Sequence, residues 1–151
     1  MPTHIAAGLG TANSTYNPSV QATEQAVTLH SETIFEPGLP CADNPTRLLL
    51  SDTLDGNFLT SCLGAIQNPN LNGVLKFSDG TTSTYHISIL TAERVEGHVV
   101  ARATGTINNG PYAEATINRL GIRLAGNVTA CLTGGGVSNS TGAEVVIITG
   151  P

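Results

Sequence analysis

Tryptophan is absent from this chain, and aromatic residues of all kinds make up only 4% of it. Sugar-binding faces usually stack on exposed rings. Phe35, Phe58, Phe77 and Tyr85 fall at positions that read as core, so only Tyr16 and Tyr112 remain as candidate ligand platforms, and carbohydrate is weakly supported. Charge is scarce too, at 11% of residues, with six Lys and Arg against eleven Asp and Glu for a formal net charge of -5. No basic patch exists to release counterions from a nucleic-acid backbone, which argues against nucleic acid and anionic membrane as partners. No apolar run is long enough to cross a bilayer as a helix. The residues after Met1 lack the basic and apolar regions of a signal peptide. With little Lys and much Thr, Ser, Gly and Asn, the expectation is an extracellular, mature secreted domain whose signal was replaced by Met1.

Cysteine is sparse and widely spaced: Cys41, Cys62 and Cys131 form no Cys-x-x-Cys, so no zinc site and no metal or other cofactor is expected. Cys62 (LTSCL) and Cys131 (VTACL) lie in strand-like contexts, and the long loop a bridge between them would close makes them the expected disulfide; Cys41 is the rival partner for Cys62. Gly134-Gly135-Gly136 is followed by no Gly-Lys-Ser/Thr and opens no helix, which excludes a phosphate cradle. His30, His86 and His98 fall in strands, where a solvent-facing or satisfied histidine is the ordinary case, and no Cys/His pair is singled out for nucleophilic catalysis. Asp43, Asp52, Asp55 and Asp79 sit in turn-like contexts that explain Asp without chemistry. Glu93, Glu96 and Glu114 show no spacing that marks a glycosidase pair. Asn13, Asn127 and Asn139 each begin an Asn-x-Ser/Thr sequon, which matters only in a eukaryotic secretory route.

What is present is a run of turn-punctuated alternating segments. In GVLKFSDGTTSTYHISIL (73–90), Tyr85, Ile87 and Ile89 alternate with Thr84, His86 and Ser88, and Ser78-Asp79-Gly80-Thr81 predicts a tight hairpin turn. Residues 26–35 alternate as a first core strand stopped by Glu36-Pro37-Gly38. RLLLS (47–51) reads as a short buried strand, Asp52 to Gly56 as a turn, NFLTSCL (57–63) as a further strand and QNPNLN (67–72) as a loop. Residues 96–118 read as a second hairpin about Asn108-Asn109-Gly110, with Val99, Ala101, Ala103, Gly105 and Ile107 on one small-residue face. Leu120, Ile122 and Leu124 continue the alternation, residues 133–140 read as a loop, and EVVIIT (144–149) closes the sheet. Residues 1–18 hold no sustained period and are expected to form an extended N-terminal arm, either an unstructured terminus or a strand added to a partner's or a neighbouring subunit's sheet edge. SVQATEQA (19–26) is long enough for two helical turns. Residues 19–151 are then one all-β domain, an antiparallel β-sandwich or small β-barrel of about eight strands.

Five stretches, FEPGL (35–39), the SC-LG strand end (61–64), the hairpin GVLKFSDGTTSTYHIS (73–88), TGTINNGPYAEA (104–115) and ACLTGGGVSNSTGAEVVI (130–147), together resemble small secreted β-sandwich proteins of actinomycetes. The resemblance covers about residues 33–149. It implies an exported β-domain and carries over no catalytic residue. The chain departs from that pattern at Lys76-Phe77, where Trp is common, and at Glu114, where Gly is common. The leading functional expectation is a non-enzymatic binding or adaptor module that contacts another protein through its arm or a sheet edge. A barrel enzyme or ligand carrier with His86, Arg102 and Glu114 lining an internal polar cavity is the rival, and a self-assembling structural protein is the third reading.

Overall fold

The computed structural model describes residues 4–36, 40–62, 66–95, 98–123 and 136–150. Eight antiparallel strands follow one another in sequence and in space: β1 (His4–Val20), β2 (Gln25–Phe35), β3 (Leu49–Thr60), β4 (Gln67–Phe77), β5 (Thr82–Val95), β6 (His98–Asn109), β7 (Thr116–Arg123) and β8 (Val137–Thr149). Each pairs with the next, and β1 pairs with β8, so the sheet closes on itself as a barrel. The all-β expectation and the strand number hold, and closure decides between sandwich and barrel.

Alternation explains which way each strand faces. In β2, Val27, Leu29, Ser31, Thr33 and Phe35 are buried while Ala26, Thr28, His30, Glu32 and Ile34 are exposed. On this strand the outward set carries His30 and Glu32, unlike the apolar outer band of a lipid-facing barrel. None of the described helices could span a bilayer, since no helix is long and apolar enough.

Several local readings change. Residues 4–20 are not a free arm but a full barrel strand: Gly10 to Asn17 pair with β2, and His4 to Val20 pair with β8. The glycines and asparagines that break the apolar period there sit on a strand whose inward side chains are small (Ala6, Ala12, Ser14), so the hydrophobic signal is weak although the ladder is long. No helix forms at residues 19–26, which instead end β1, bend, and begin β2. The proposed turn at Asp52–Gly56 and loop at 67–72 are both strand, within β3 and β4.

The hairpin about Ser78–Thr81 forms as expected. Asp79 Oδ1 accepts hydrogen bonds from the Thr81 amide at 3.0 Å and its hydroxyl at 2.6 Å, and Gly80 takes the positive φ of 87° that the turn needs. The period of two then fails at Ile89. A bulge between Ile87 and Ile89 inserts one residue, leaving Ile89 57% exposed and returning Leu90 to a position opposite Ala103. A second bulge between Leu49 and Ser51 turns Asp52 inward, although Leu49 also faces in.

Closure makes β1 indispensable. Deleting residues 1–18 is expected to abolish the cooperative thermal transition and yield aggregating protein, because both β2 and β8 become unpaired edges. Circular dichroism melting with light scattering checks this; a truncated protein that melts like the full chain contradicts it.

Candidate functional site

The barrel interior divides into a sealed end, a polar middle and a less covered opposite end. At the sealed end, Ile107, Ala115, Ile117 and Ile148 have no exposed surface. The β2–β3 connection folds over this end, fixed by paired backbone bonds: Cys41 donates to the Arg47 carbonyl at 2.8 Å and Ser78 to the Leu48 carbonyl at 2.8 Å. Arg47 lies over the rings of Phe77 and Tyr112, 5.9 and 5.4 Å from their centroids, and its Nε donates to Asp79 at 2.7 Å. Thr81 and Arg47 together hold the Asp79 carboxyl down to about 2. Tyr112 takes a positive φ of 66°, a conformation that bulky residues avoid, and its ring stands edge-on to Phe77 at 5.8 Å. Its hydroxyl donates to Asp43 at 2.6 Å and accepts from Arg47 at 3.1 Å. Tyr112 is therefore part of the seal and not an open ring platform.

The middle carries the chemistry. Arg119 points inward from β7 into a site shared with Asp52 of β3, Tyr85 of β5, Thr33 of β2 and Glu144 of β8, all buried. Its Nε lies 3.3 Å from Asp52 and 3.1 Å from Glu144. Neither line is well aligned with the N–H, so these contacts act as ion pairs, not as formed hydrogen bonds. The terminal nitrogens donate to the Tyr85 hydroxyl at 3.3 Å and to Thr33 at 3.4 Å, and the Tyr85 hydroxyl donates to the Asp52 carboxylate, 2.7 and 2.8 Å from its two oxygens. Room for the Tyr85 ring comes from Gly73 on the neighbouring strand: a Cβ there would stand 2.1 Å from the ring.

Two carboxyls and one guanidinium leave the cluster one negative charge in excess if all ionise, and a dry interior disfavours that. Desolvation raises the Asp52 carboxyl above its ordinary value, against the pull of Arg119 and the Tyr85 hydrogen bond. Burial and the adjacent carboxylates likewise hold Tyr85 well above the usual phenol range, so it serves as a hydrogen-bond donor. Arg119 keeps its charge, because burial is outweighed by Tyr85 and the two carboxylates.

Toward the opposite end, three serines stand side by side across β8, β1 and β2: Ser14 is in register with both Ser140 and Ser31. Ser14 donates to Ser31 at 2.9 Å, and the Tyr16 hydroxyl lies 2.9 Å from Ser140. Tyr16 thus lies half-buried on the inner wall. Toward this end the inward positions of β5 and β6 lose cover, Leu90, Ala92 and Ala101 being half-buried, while Val27 of β2 and Leu71 of β4 keep none of their surface exposed.

The expected cavity trio does not converge. His86 is exposed on the outer wall with Nδ1 3.0 Å from Asn72, Arg102 is exposed on β6, and Glu114 is exposed in the β6–β7 turn with φ 76°. The reason is parity: His86 and Arg102 alternate with the inward residues Tyr85, Ile87, Ala101 and Ala103. The converging polar groups are Asp52, Glu144 and Arg119. Asp52 was masked by its turn-like surroundings, and Arg119 and Glu144 by apolar neighbours; an arginine at an inward parity of a strand was the available signal. His30 is exposed on the outer wall between Asp55 and Glu32, and the hydrogen bond to Asp55, then that to Glu32, raises its pKa. No group of three or more His, Cys, Asp or Glu among the described residues could hold a metal ion. Cys41 is a free, buried thiol whose pKa burial raises, and Cys62 is disulfide-bonded, which removes Cys41 as its partner. Cys131 lies outside the described residues.

Replacing Arg119 by Met is expected to cost roughly 3–5 kcal/mol, since two buried carboxyls lose their cation. A group whose folded pKa is raised contributes stability that is present below its unfolded pKa and lost as pH rises through the folded value. Asp52→Asn does not titrate, so its stability relative to the parent is expected to improve as pH rises from the ordinary aspartate range through the raised folded value. Urea melts at several pH values check both; a constant difference between Asp52→Asn and the parent contradicts the second.

No family model matches the chain, and neither a curated protein nor a solved structure does, so its function is read from the geometry of this barrel.

Proposed function

We propose that the protein is a non-enzymatic carrier that binds one small, neutral, amphipathic molecule inside the barrel, entering at the end opposite the seal. The observation that carries this reading is the loss of cover along the inner wall, from Ile107, Ile117 and Ile148 with none of their surface exposed to the half-buried Leu90, Ala92 and Ala101. An eight-stranded barrel is wide enough to be filled by its own side chains or to hold one small ligand. Apolar Leu29 is paired with Tyr16 and Leu54 with Ser31, so apolar side chains adjoin the serine row on the inner wall, which suits a molecule with an apolar body and one or two hydroxyl or carbonyl groups. Asp52 and Glu144 already engage the buried Arg119 cation, which disfavours an anionic ligand.

Binding to another protein through the arm or a sheet edge loses its physical basis, because β1 is spent on closure and a closed barrel leaves no edge to extend. An enzyme is less well supported than a carrier. Both histidines with described side chains, His30 and His86, lie outside the barrel, and Tyr85 and Asp52 are engaged with each other.

Titration with the neutral fluorophore N-phenyl-1-naphthylamine tests the carrier reading against a chain that has no tryptophan emission of its own. Saturable enhancement at one probe per chain is expected, lost in Ala103→Phe, whose ring would occupy the inner wall; the melting of that variant is measured alongside. Absence of saturable binding, or equal binding by a folded Ala103→Phe, overturns it. Export belongs to the same reading, as the resemblance to secreted actinomycete proteins implies, and with it a Cys62–Cys131 bridge. Proteolytic mapping of exported protein is then expected to give one linked peptide containing both residues, which gains two hydrogens on reduction. Separate peptides in unreduced material contradict the pairing.

A further inference from the structure

The outer walls of the barrel are not alike. Acidic side chains of the described residues face outward from β2, β3 and β5 (Glu32, Asp55, Glu93) or lie in the connections (Glu24, Glu36, Asp43, Asp79, Glu114). Among the residues whose side chains are described, the outward positions of β7, β8 and β1 include no charge: β7 presents Asn118, Leu120 and Ile122, β8 presents Asn139, Thr141, Val145 and Ile147, and β1 presents Ala7 to Asn17 at alternate positions. Across the centre of that wall the register sets apolar groups in rows. Leu120 pairs with Val145, and Val145 with Leu9; Ile147 pairs with Ala7 in the adjoining row. Leu9 is 51% exposed and Ile147 38%, and Ile34, diagonal to Leu9 on β2, is 65% exposed.

We infer that this wall is where two copies of the chain associate, back to back, through β7, β8 and β1. The occupant follows from charge. A molecule of net charge -5 repels its own copies, and that repulsion is smallest where neither surface carries an acid. The flanks add direction. Arg102, paired with Leu120, is exposed on β6 along one margin of the wall at the level of the Leu9 row, and Glu36, whose amide donates to the Leu9 carbonyl, is exposed along the other margin at the same level. A two-fold axis parallel to the strands brings the basic margin of each copy to the acidic margin of the other, the self-complementary arrangement of an isologous pair. β7 reaches only the part of this wall opposite His4 to Ala12, so at strand spacings of about 4.8 Å and about 3.4 Å per residue the three strands present roughly 400 Å² in projection. Its corrugation and the two margins add to this toward the ~800 Å² per partner of a stable interface, and the Leu120–Val145–Leu9 row forms an apolar centre within a Thr and Asn rim.

The association is independent of ligand binding, and sedimentation equilibrium of the full chain over about a hundredfold range of concentration tests it. The mass is expected to rise with concentration toward twice the 15.5 kDa of the chain. Leu9→Lys is expected to hold the mass at one chain with an unchanged melt, and because Lys reduces the net negative charge, the loss cannot come from added long-range repulsion. Thr91→Lys, exposed on β5, is expected to associate like the parent. Should Leu9→Lys fail to fold, Ile147→Lys takes its place, and an Arg102→Glu, Glu36→Arg double exchange is expected to associate where either single change weakens it. A single-chain mass at every concentration overturns the inference, as does association undiminished in a folded Leu9→Lys.

Discussion

β1 forms hydrogen bonds along both of its sides, to β2 on one and to β8 on the other, and the rest of the protein depends on that double pairing. A sheet of seven or eight strands that stayed open would leave two rows of unpaired amide and carbonyl groups in a charge-poor, Thr-rich and Asn-rich sequence, a ready template for aggregation. Closure removes both rows without needing a charged or proline-rich edge. It also accounts for a chain that can place so few charges on its surface. The constraint is non-local, because the two strands that seal the barrel lie at opposite ends of the sequence.

Closure also creates an interior that eight strands cannot fill uniformly. The inward side chains of β2 to β5 include Val27, Leu29, Phe58, Leu71, Leu75 and Tyr85, whereas β6, β7, β8 and β1 contribute Ile107, Ile117, Val146 and Ile148 near the seal but Ala101, Ala103, Gly121, Ser140, Ala12 and Ser14 farther from it. The Arg119 cluster sits at the junction of these two halves. A guanidinium reaching from the small-residue side meets carboxyls from both sides, tying β7 and β8 to β3 and, through Tyr85, to β5. Such a cluster contributes little net stability over an apolar replacement, but only one register satisfies it. A slip of one residue in β7 would turn Arg119 outward and leave Asp52 and Glu144 without a cation.

The parts of this fold legible in the sequence were those where local chemistry and global position agree. Asp79-Gly80 between alternating runs marked the β4–β5 turn, and Asn109-Gly110 marked the end of β6, because those turns need positive φ whatever surrounds them. The small inner face of β6, from Ala101 to Ile107, followed from parity alone. β1 was illegible because its inward positions are alanine, glycine and serine, so alternation of size replaces alternation of hydrophobicity. β3 was split because Asp52, Asp55 and Gly56 look like turn residues; one is a buried ion partner and another an outward strand residue. Of the candidate site, only the parity of Arg119 was visible in principle. Its meeting with Asp52 and Glu144 depends on the bulge at Leu49/Ser51 and on closure, and neither has a signature in a single chain read locally.

The same half of the barrel that is thin inside is apolar outside. Away from the seal, where β7, β8 and β1 turn Gly121, Ser140, Ala12 and Ser14 inward, these strands bury little apolar area on folding and gain less from the core than β2 to β5 do. Their outward Leu9, Leu120, Val145 and Ile147 hold apolar surface that the isolated chain leaves at least partly wet. Covering that surface from outside would stabilise the strands that the interior stabilises least, without filling the space that a ligand would need. A wall built from larger inward side chains would be stable alone, but it would occupy the interior beside the serine row. Inner thinness and outer apolarity are thus two faces of one compromise, in which packing is moved from the inside of the barrel to its back.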